Sequence, residues 1–524
     1  MSMPAEHMHP RPTLADLLQG FADAPPLAVR GIGSDSRRLD EGYLFLAVQG
    51  LTSHGLDFLA EALEAGVSAV AWDASTGTPP SDVGVPTIAV ENLASRLGEI
   101  ANRFYGRPSE QLEVIGVTGT NGKTTVAWMI AQAAEILGER CAYLGTLGHG
   151  LGELQGSEGM TTPAVVEFHA RLADFVEHGA GYAAVEVSSH ALEQGRIDGV
   201  RIDTAIFTNL SRDHLDYHES MADYFAAKAR LFTDCGPRHR IINLDSDYGA
   251  RLADMCGSDV VTVSTNFDRV ANGRPYLFVR SVVATSEGFD ITFISSWGSS
   301  RFTLPLPGDF NVANAAIVLA LLLLKGVALE AACDAMSQLT APPGRMQRVA
   351  VAEGERTMQR VAVAEGERTM QRVATDGPAV FVDYAHTPAA LESALRALRA
   401  HCRGHLWCVF GCGGDRDAGK RPQMGQAAER QSDRVIVTSD NPRSESPMAI
   451  VDDILAGLTR REDAVVIEDR AAAIAWAIDA AASDDVVLIA GKGHETWQET
   501  NGRRVAFSDS SVAAKALAAR EDAQ

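Results

Sequence analysis

Gly116-Val-Thr-Gly-Thr-Asn-Gly-Lys-Thr-Thr125 is a glycine-rich segment between an apolar run at 112–115 and a helical pattern of apolar residues. A turn of this kind directs backbone N–H groups and a helix N-terminus toward one point, which suits a nucleotide phosphate. Lys123 could reach the terminal phosphates, and the Thr124 hydroxyl could bind Mg²⁺. The usual phosphate-loop spacing would require glycine at 117, where this chain has valine. A tight turn with a surface lysine is the alternative, and the three glycines before Lys-Thr-Thr disfavour it.

The composition limits the class of protein. A chain of 524 residues is too long for one ordinary core, and about three domains are expected. The net charge of −22 disfavours general binding to nucleic acid or to an anionic membrane, although a local basic pocket could still hold an anionic substrate. No secretory signal is predicted at 1–20, the apolar run at 315–324 is too short to span a bilayer, and the seven cysteines show no zinc-like spacing. We expect a cytoplasmic protein, with a monomer as the default.

Strand and helix patterns alternate along most of the chain, which predicts an α/β fold. Linkers that contain proline, at 107–109 and 341–344, predict domains at 1–108, 109–340 and 341–524. The strands of the second and third domains are almost continuously apolar, as in parallel sheets covered on both faces, whose ligands gather at the carboxyl ends of the strands. These strands are predicted at 182–187, 205–208, 240–244, 379–382, 406–410, 434–438 and 485–490.

A short repeat follows the second linker. Residues 346–357 recur identically at 358–369, and 370–374 begin a third copy. Two copies are too few for a solenoid. Each copy predicts a short strand closed by an Ala-Glu-Gly-Glu turn. We interpret the repeat as a surface insertion, which is tolerated because a longer loop adds little closure entropy.

Two strands of the second domain are followed by polar residues. Glu186-Val-Ser-Ser-His190 ends one strand, and Thr208-Asn-Leu-Ser-Arg-Asp-His-Leu-Asp216 ends another. A carboxylate at Glu186 could be a metal ligand beside the nucleotide, and Asp213 and His214 could join a metal or phosphate shell. Each residue taken alone could equally cap a strand or pack structurally. Their place at neighbouring strand ends near a phosphate loop favours Mg²⁺.

In this order along the chain, these segments resemble the Mur ligases, which are ATP-dependent amide-bond-forming enzymes of peptidoglycan precursor synthesis. The resemblance implies an N-terminal α/β domain for a nucleotide sugar, a central P-loop ATPase domain with a mainly parallel sheet, and a C-terminal Rossmann-like α/β domain. It also implies ATP as co-substrate and Mg²⁺ as cofactor. Further segments that carry the resemblance are Tyr224-Phe-Ala-Ala-Lys228, Asn311-Val-Ala-Asn-Ala315, Gly344-Arg-Met346 and Asp383-Tyr-Ala-His-Thr-Pro388.

Three C-terminal segments resemble the branch of this family that adds meso-diaminopimelate. They are Gly411-Cys-Gly-Gly-Asp-Arg-Asp-Ala-Gly-Lys-Arg-Pro422, Asp440-Asn-Pro-Arg443 and Gly491-Lys-Gly-His-Glu495. This amino acid has a second head with its own carboxylate and ammonium. The guanidinium groups of Arg416 and Arg443 could bind the carboxylate through paired hydrogen bonds, and Asp440 and Glu495 could hold the ammonium. Without the resemblance, Asp-Asn-Pro-Arg would be interpreted as a turn.

The resemblance assigns the remaining site residues one by one. Lys228 would be carbamylated and would help to bind Mg²⁺, whereas from the sequence alone it is a surface or paired lysine. The catalytic residues would be Lys123, Lys228, His214 and Glu186, and the metal ligands Thr124, Glu186, His214 and Lys228. ATP would contact Gly119, Thr120, Asn121, Gly122, Lys123, Thr124, Thr125, Asn314, Arg345 and Asp383. The UDP-linked dipeptide would contact Ser34, Ser36, Thr161, Thr162, Ser188, Gln194 and Arg196. Diaminopimelate would contact Arg416, Asp440, Asn441, Pro442, Arg443, Gly491 and Glu495.

The implied reaction activates a carboxylate as an acyl phosphate, which the amine of the incoming amino acid then attacks. His214 and His386 are candidates for the base that deprotonates this amine. Two enzymatic alternatives are an L-lysine-adding homologue and a folylpolyglutamate synthase, neither of which explains the 440–443 segment. A P-loop switch protein is a third alternative, and it would hydrolyse ATP without any amino acid.

Overall fold

The protein is described by a computed structural model that covers residues 12–50, 53–78, 83–156, 160–211, 213, 217–269, 273–285, 288–349 and 377–523. The chain forms two compact units. The first comprises Met1–Val279, Ile294–Gly298 and Ala316–Ala332, and the second comprises Arg280–Phe293, Ser299–Ala315 and Cys333–Gln524. Both units are α/β, as the sequence predicts.

The N-terminal part of the first unit is a small parallel sheet covered by helices on both faces. Along β2, Leu44 and Leu46 pack toward one helical layer while Phe45 and Ala47 pack toward the other, so the strand is buried on both faces. The elements are α1 (Leu14–Leu18), β1 (Gly31–Gly33), β2 (Tyr43–Ala47), α2 (Leu59–Glu64), β3 (Ala69–Asp73), β4 (Thr87–Val90) and α3 (Leu97–Phe104). The strand order is β1-β2-β3-β4.

The glycine-rich segment belongs to the larger sheet of the first unit. Its strands are β5 (Glu113–Thr118), β6 (Cys141–Gly145), β7 (Gly148–Gly150), β8 (Tyr182–Glu186), β9 (Ile202–Phe207), β10 (His239–Asn243), β11 (Val261–Ser264) and β12 (Tyr276–Ala284, assigned to this unit as far as 279). The helices are α4 (Lys123–Ile136), α5 (Val165–Glu177), α6 (Ser189–Glu193), α7 (Met221–Thr233) and α8 (Asp247–Met255). The order from β12 is β12-β11-β10-β9-β5-β8-β6-β7, parallel except between β6 and β7.

This strand order determines what surrounds the phosphate loop. Strand β5 pairs with both β8 and β9, so the loop after β5 leaves the sheet between the carboxyl ends of those two strands. Both neighbours are almost completely buried, and in β9 the buried residues include the polar Asp203 and Thr204. The polar residues that follow β8 and β9 are therefore brought to the loop.

The second unit contains the predicted second doubly wound sheet. Its strands are β15 (Gln347–Arg348), β16 (Ala379–Asp383), β17 (Leu406–Phe410), β18 (Arg434–Val437), β19 (Val465–Val466) and β20 (Val486–Ala490), in the order β15-β16-β20-β17-β18-β19. Helices α11 (Pro388–Arg399), α12 (Lys420–Gln431) and α13 (Pro447–Leu455) cover one face, and α14 (Arg470–Ala480) and α15 (Asp509–Ala523) cover the other. A hairpin, β21 (Trp497–Thr500) with β22 (Arg503–Ala506), follows β20. The elements β13 (Phe289–Ser295), β14 (Gly298–Leu304), α9 (Phe310–Leu324) and α10 (Leu329–Met336) contribute residues to both units.

The segment with the repeat connects two adjacent strands. Gln347 of β15 pairs antiparallel with Val382 of β16, so the chain leaves and re-enters the sheet at neighbouring positions. Most of the repeat, at 350–374, lies outside the described residues, and its interpretation as a surface insertion stays a prediction. The apolar run at 315–324 lies within α9, and its residues from 315 to 323 are buried. Within the described ranges, every helix is too short or too polar to cross a bilayer.

Candidate active site

The phosphate loop takes its shape from close packing against the end of β9. A Cβ on Gly119, whose φ is 149°, would lie 2.0 Å from Oγ1 of Thr208. The Thr208 hydroxyl donates to the carbonyl of Asn121 at 2.6 Å, and the Asn121 N–H donates to the side-chain oxygen of Asn209 at 3.0 Å. Gly122 has φ 85° immediately before α4. The loop thus needs glycine at 119 for space and at 122 for backbone conformation.

Lys123 lies over this loop. It is the first residue of α4, and its ammonium donates to the carbonyls of Gly119 and Thr120, both at 2.9 Å. Phosphate oxygens would be stronger acceptors for this ammonium than the two neutral carbonyls. The position therefore fits the predicted contact with a nucleotide phosphate.

Glu186 brings a buried carboxylate to the same place. Its side chain ends β8, and only 1% of the residue is exposed. Oε2 accepts from the Thr124 hydroxyl at 2.9 Å, and Oε1 accepts from the Tyr143 hydroxyl at 2.5 Å and from the Thr146 N–H at 2.9 Å. Glu186 and Thr124, which the sequence analysis paired, are in contact. Tyr143 and Thr146 were missed, although Thr146 directly follows β6 and a polar residue at a strand end was the available signal.

The oxygen donors fit the Mg²⁺ that the family implies. Magnesium is usually held by one or two carboxylates, and phosphate oxygens and waters complete its shell. Here the Glu186 carboxylate would be the carboxylate ligand, and the Thr124 hydroxyl beside it would be a second oxygen ligand. Among the described residues there is no group of three or more His, Cys, Asp or Glu suited to a metal, so the nucleotide would have to supply further ligands. His214, a predicted ligand, lies outside the described residues, and its role stays a prediction.

Lys228 is one of the most deeply buried side chains in the first unit, at 1% exposure. Its ammonium donates to the Gly119 carbonyl at 2.8 Å and lies 4.7 Å from the centre of the Tyr224 ring. Burial and the nearby charge of Lys123 lower the pKa of Lys228 well below its usual value, and Asp213 acts in the opposite direction. Its interpretation as a surface lysine, which the sequence alone allowed, is wrong.

Most residues predicted for the UDP-linked dipeptide form one hydrogen-bonded cluster beside Glu186. The Thr162 hydroxyl donates to the Glu186 backbone carbonyl at 2.8 Å, and the Ser188 N–H donates to that hydroxyl at 3.2 Å. Arg196 donates to the Thr162 carbonyl at 2.8 Å and to the side-chain oxygen of Gln194 at 2.6 Å. The dipeptide cluster, as we call these residues, thus shares Glu186 with the phosphate loop.

Three other predicted residues lie around or outside this cluster. Thr161 accepts from the Thr146 hydroxyl at 3.3 Å. Ser34 follows β1, and Ser36 donates to Glu61 at 2.8 Å, so both serines belong to the N-terminal sheet.

One contact was missed by the sequence analysis. The side-chain amide of Gln194 donates to the hydroxyl of Tyr217 at 3.2 Å, and the ring of Tyr217 packs on His190.

In the second unit, the residues predicted for ATP on either side of the repeat come together. The Asp383 carboxylate accepts from the Met346 N–H at 2.8 Å. The Arg345 guanidinium lies 4.7 Å from the centre of the Tyr384 ring, which directly follows Asp383. Asn314 is buried in α9, where its amide donates to a neighbouring asparagine at 3.2 Å. Segments 345–346 and 383–384 are therefore adjacent in the fold although the repeat separates them in sequence.

The residues predicted for diaminopimelate meet at the carboxyl ends of β18 and β20. The Asn441 amide donates to Oε2 of Glu495 at 2.9 Å, and Lys492 donates to the same oxygen at 2.8 Å and to Oδ1 of Asn441 at 3.0 Å. A Cβ on Gly491 would lie 2.6 Å from Oδ2 of Asp440, so glycine lets this carboxylate lie against the backbone. Lys492 is completely buried and was missed as a site residue.

Arg443 and Arg416 lie around Gly413. A Cβ at that glycine would be 3.0 Å from Nη1 of Arg443 and 3.8 Å from Cγ of Arg416. Arg443 has φ 52°, and its guanidinium donates to the Gly414 carbonyl at 2.6 Å, while Arg416 is exposed. Pro442 is buried between Asn441 and Arg443 in the sequence. Arg443 forms a bridge with Thr500, and the chain turns only after it, where the Glu445 N–H donates to the Pro442 carbonyl at 3.0 Å, so the sequence-based interpretation of 440–443 as a turn is wrong.

Known proteins resemble this chain in sequence and in fold. Family models match residues 28–105 (Mur ligase family, catalytic domain), 117–322 (Mur ligase middle domain) and 368–493 (Mur ligase, glutamate ligase domain). The chain is 45% identical to the UDP-N-acetylmuramoyl-L-alanyl-D-glutamate–2,6-diaminopimelate ligase of Pseudomonas putida, over 96% of this chain and 98% of that protein. It is 44% identical to the ligase of the same name from Coxiella burnetii, over 93% and 96%. A solved structure of a ligase with this name is 33% identical and superimposes with a TM-score of 0.69, covering 97% of this chain and 99% of that one.

The packing at Gly119 predicts the effect of a single methyl group. Gly119→Ala should lower the free energy of unfolding by about 3 kcal/mol and weaken ATP binding, because the Cβ would displace Thr208 and press on the Asn209 backbone. Gly138→Ala is the matched control, since Gly138 has φ 82° and open space around it, and it should cost only about 1 kcal/mol. Denaturant unfolding and nucleotide titration measure both. Equal effects of the two substitutions would contradict the packing argument.

Proposed function

The chain belongs to the Mur ligase family, and we propose that it is the ATP-dependent ligase that joins meso-2,6-diaminopimelate to UDP-N-acetylmuramoyl-L-alanyl-D-glutamate. The observation that carries this proposal is the shared position of Glu186. Its side chain contacts Thr124 of the phosphate loop, and its backbone carbonyl holds Thr162 of the dipeptide cluster. A carboxylate substrate bound at that cluster would lie next to the phosphate it has to receive. We assign the protein to the cytoplasm, where ATP and the UDP-linked substrate are available, and we propose that it acts as a monomer.

In the first step, an oxygen of the D-glutamyl γ-carboxylate attacks the γ-phosphorus of ATP. The bond from this phosphorus to the bridging oxygen breaks, ADP leaves, and an acyl phosphate forms. Lys123, at the start of α4, holds the negative charge of the phosphates in place. Mg²⁺ bound by Thr124 and Glu186 would supply further charge neutralisation at the phosphates. We assign Asn314, Arg345 and Asp383 to the nucleotide as well.

In the second step, the unprotonated amino group of diaminopimelate attacks the acyl carbon. The tetrahedral intermediate collapses, phosphate leaves with the electrons of the C–O bond, and the nitrogen loses a proton to a base. His214 and His386 are our candidates for this base. In the described structure, His386 is exposed, and its Nδ1 lies 2.8 Å from the Tyr384 carbonyl.

The substrate requirement tests the whole proposal. The purified protein should release phosphate from ATP only when the UDP-linked dipeptide and meso-diaminopimelate are both present, and mass spectrometry should identify the UDP-linked tripeptide. Turnover of ATP without an amino acid would support a switch protein instead. Equal turnover with L-lysine would support the lysine-adding homologue.

Recognition of the second amino-acid head supports the choice of diaminopimelate. L-Lysine lacks the distal carboxylate, so Arg443 and Arg416 would lose their anionic partner while the rest of the site still closes around the ligand. Arg443→Ala should therefore reduce the ratio of kcat/KM for meso-diaminopimelate to that for L-lysine by about 100-fold. Arg399→Ala is the control, because Arg399 pairs with Asp433 on the surface away from these residues. An unchanged ratio in Arg443→Ala would refute this specificity assignment.

Lys228 has the properties that carbamylation requires. A neutral amine can add CO₂ with loss of a proton, and the burial that lowers the pKa of Lys228 favours the neutral form of this amine. We propose that the resulting carbamate is an oxygen ligand of the Mg²⁺ site. Protein equilibrated with ¹³C-bicarbonate should show one carbamate carbon signal that Lys228→Ala removes. Lys325→Ala should keep the signal, because Lys325 is paired with Glu113 and Asp203. A signal that persists in Lys228→Ala would contradict the assignment.

A further inference from the structure

Arg470 and Asp509 form a completely buried ion pair in the second unit. Both side chains have 0% exposure. The guanidinium donates to the two carboxylate oxygens at 2.7 and 2.8 Å, which is the bidentate geometry. The proposed reaction gives neither Arg470 nor Asp509 a role. The presence of a buried ion pair at this place therefore needs a separate explanation.

Stability explains the pair poorly. Arg470 is the first residue of α14, where the helix dipole disfavours a positive charge. Burying both charges also carries a desolvation penalty that often equals the gain from their attraction. The two α-helices that the pair connects, α14 and α15, already share the apolar packing of Ile474 and Ala477 with Ala513 and Leu517.

The remaining bonds of Arg470 reach the loops of the proposed amino-acid site. Its Nη2 donates to the Ala490 carbonyl at 2.9 Å, and its Nη1 reaches the Ser439 carbonyl at 3.4 Å. Ala490 ends β20 and immediately precedes Gly491, while Ser439 immediately precedes Asp440. Because β17 lies between β18 and β20, no strand-to-strand hydrogen bonds connect these two strand ends directly.

We propose that Arg470, held in place by Asp509, is a positioning residue for the third amino acid: it joins the Ser439–Asp440 and Ala490–Gly491 loops so that Asp440 is fixed where the distal ammonium binds. The inference rests on the proposed ligase function. Arg470 touches neither substrate nor reacting atoms, and it acts through the two backbone carbonyls. A guanidinium suits this task because its planar fork can address a carboxylate and two carbonyls together, which a lysine ammonium in the same place could not do.

Arg470→Lys and Asp509→Asn test the proposal through steady-state kinetics with each substrate varied in turn. Each variant should raise KM for meso-diaminopimelate by about tenfold, while KM for ATP and for the UDP-linked dipeptide changes less than about twofold. The preference for meso-diaminopimelate over L-lysine should fall as well. Asp509→Glu keeps the charge pair and should have a smaller effect in the same direction.

Asp485→Asn is the matched control. Asp485 is a buried carboxylate at the opposite end of β20, where it accepts from the His405 N–H and from the Trp407 indole N–H. This substitution should lower the melting temperature without a selective rise in KM for meso-diaminopimelate.

Three outcomes would overturn the inference. They are folded variants with an unchanged KM for meso-diaminopimelate, a parallel rise in KM for all three substrates, and a loss of folding that extends to Asp509→Glu. The wild-type reaction separates this failure from that of the proposed function. If the wild-type protein makes the UDP-linked tripeptide, the ligase assignment stands whatever the variants do.

Discussion

The carboxylate of Glu186 is buried at the end of a strand, and a buried carboxylate is tolerated only where donors surround it. Here the donors come from the start of α4 (Thr124), from within β6 (Tyr143) and from the residue after β6 (Thr146). Removing one of them would leave the carboxylate with fewer donors, which is costly in a protein interior. This constraint fixes the phosphate loop relative to its neighbouring strands. It also explains why the dipeptide cluster, which is attached to the backbone of Glu186, lies so close to that loop.

A second constraint acts on the other side of the loop. The side-chain nitrogens of Lys123 and Lys228 both donate to the carbonyl of Gly119, so two lysines share one neutral acceptor. Their repulsion is one reason why the pKa of Lys228 is lowered. An anion relieves this arrangement, whether it is a nucleotide phosphate beside Lys123 or a carbamate made from Lys228. The first unit therefore places two lysine side chains, which would attract an anion, around a loop at 119–122 that has no charged side chain of its own.

The sequence predicted the scaffold well because continuous apolar strands and glycine-rich turns leave strong local patterns. The strand expected at 182–187 is observed as Tyr182–Glu186, and the one expected at 406–410 as Leu406–Phe410. Burial of charged residues leaves no such pattern. Lys228 lies in a helix whose sequence is equally compatible with exposure, and nothing near Arg470 indicates that its partner is 39 residues away at Asp509. These pairings depend on how distant segments pack, and only the fold shows them.

The charges in the second unit are consistent with a ligand that carries two heads. Three carboxyl groups, of Asp440, Glu495 and Asp509, lie with two basic side chains, Lys492 and Arg470. Burial raises the pKa of the Asp440 carboxyl, and the two cations lower it only in part. An ammonium placed beside Asp440 would lower that pKa and stabilise the ionised carboxylate. The arginines around Gly413 have the opposite requirement, because they need an anion. A single amino-acid head offers both groups at once, so a substrate with a free second head would suit this cluster better than a side chain that ends in one amine.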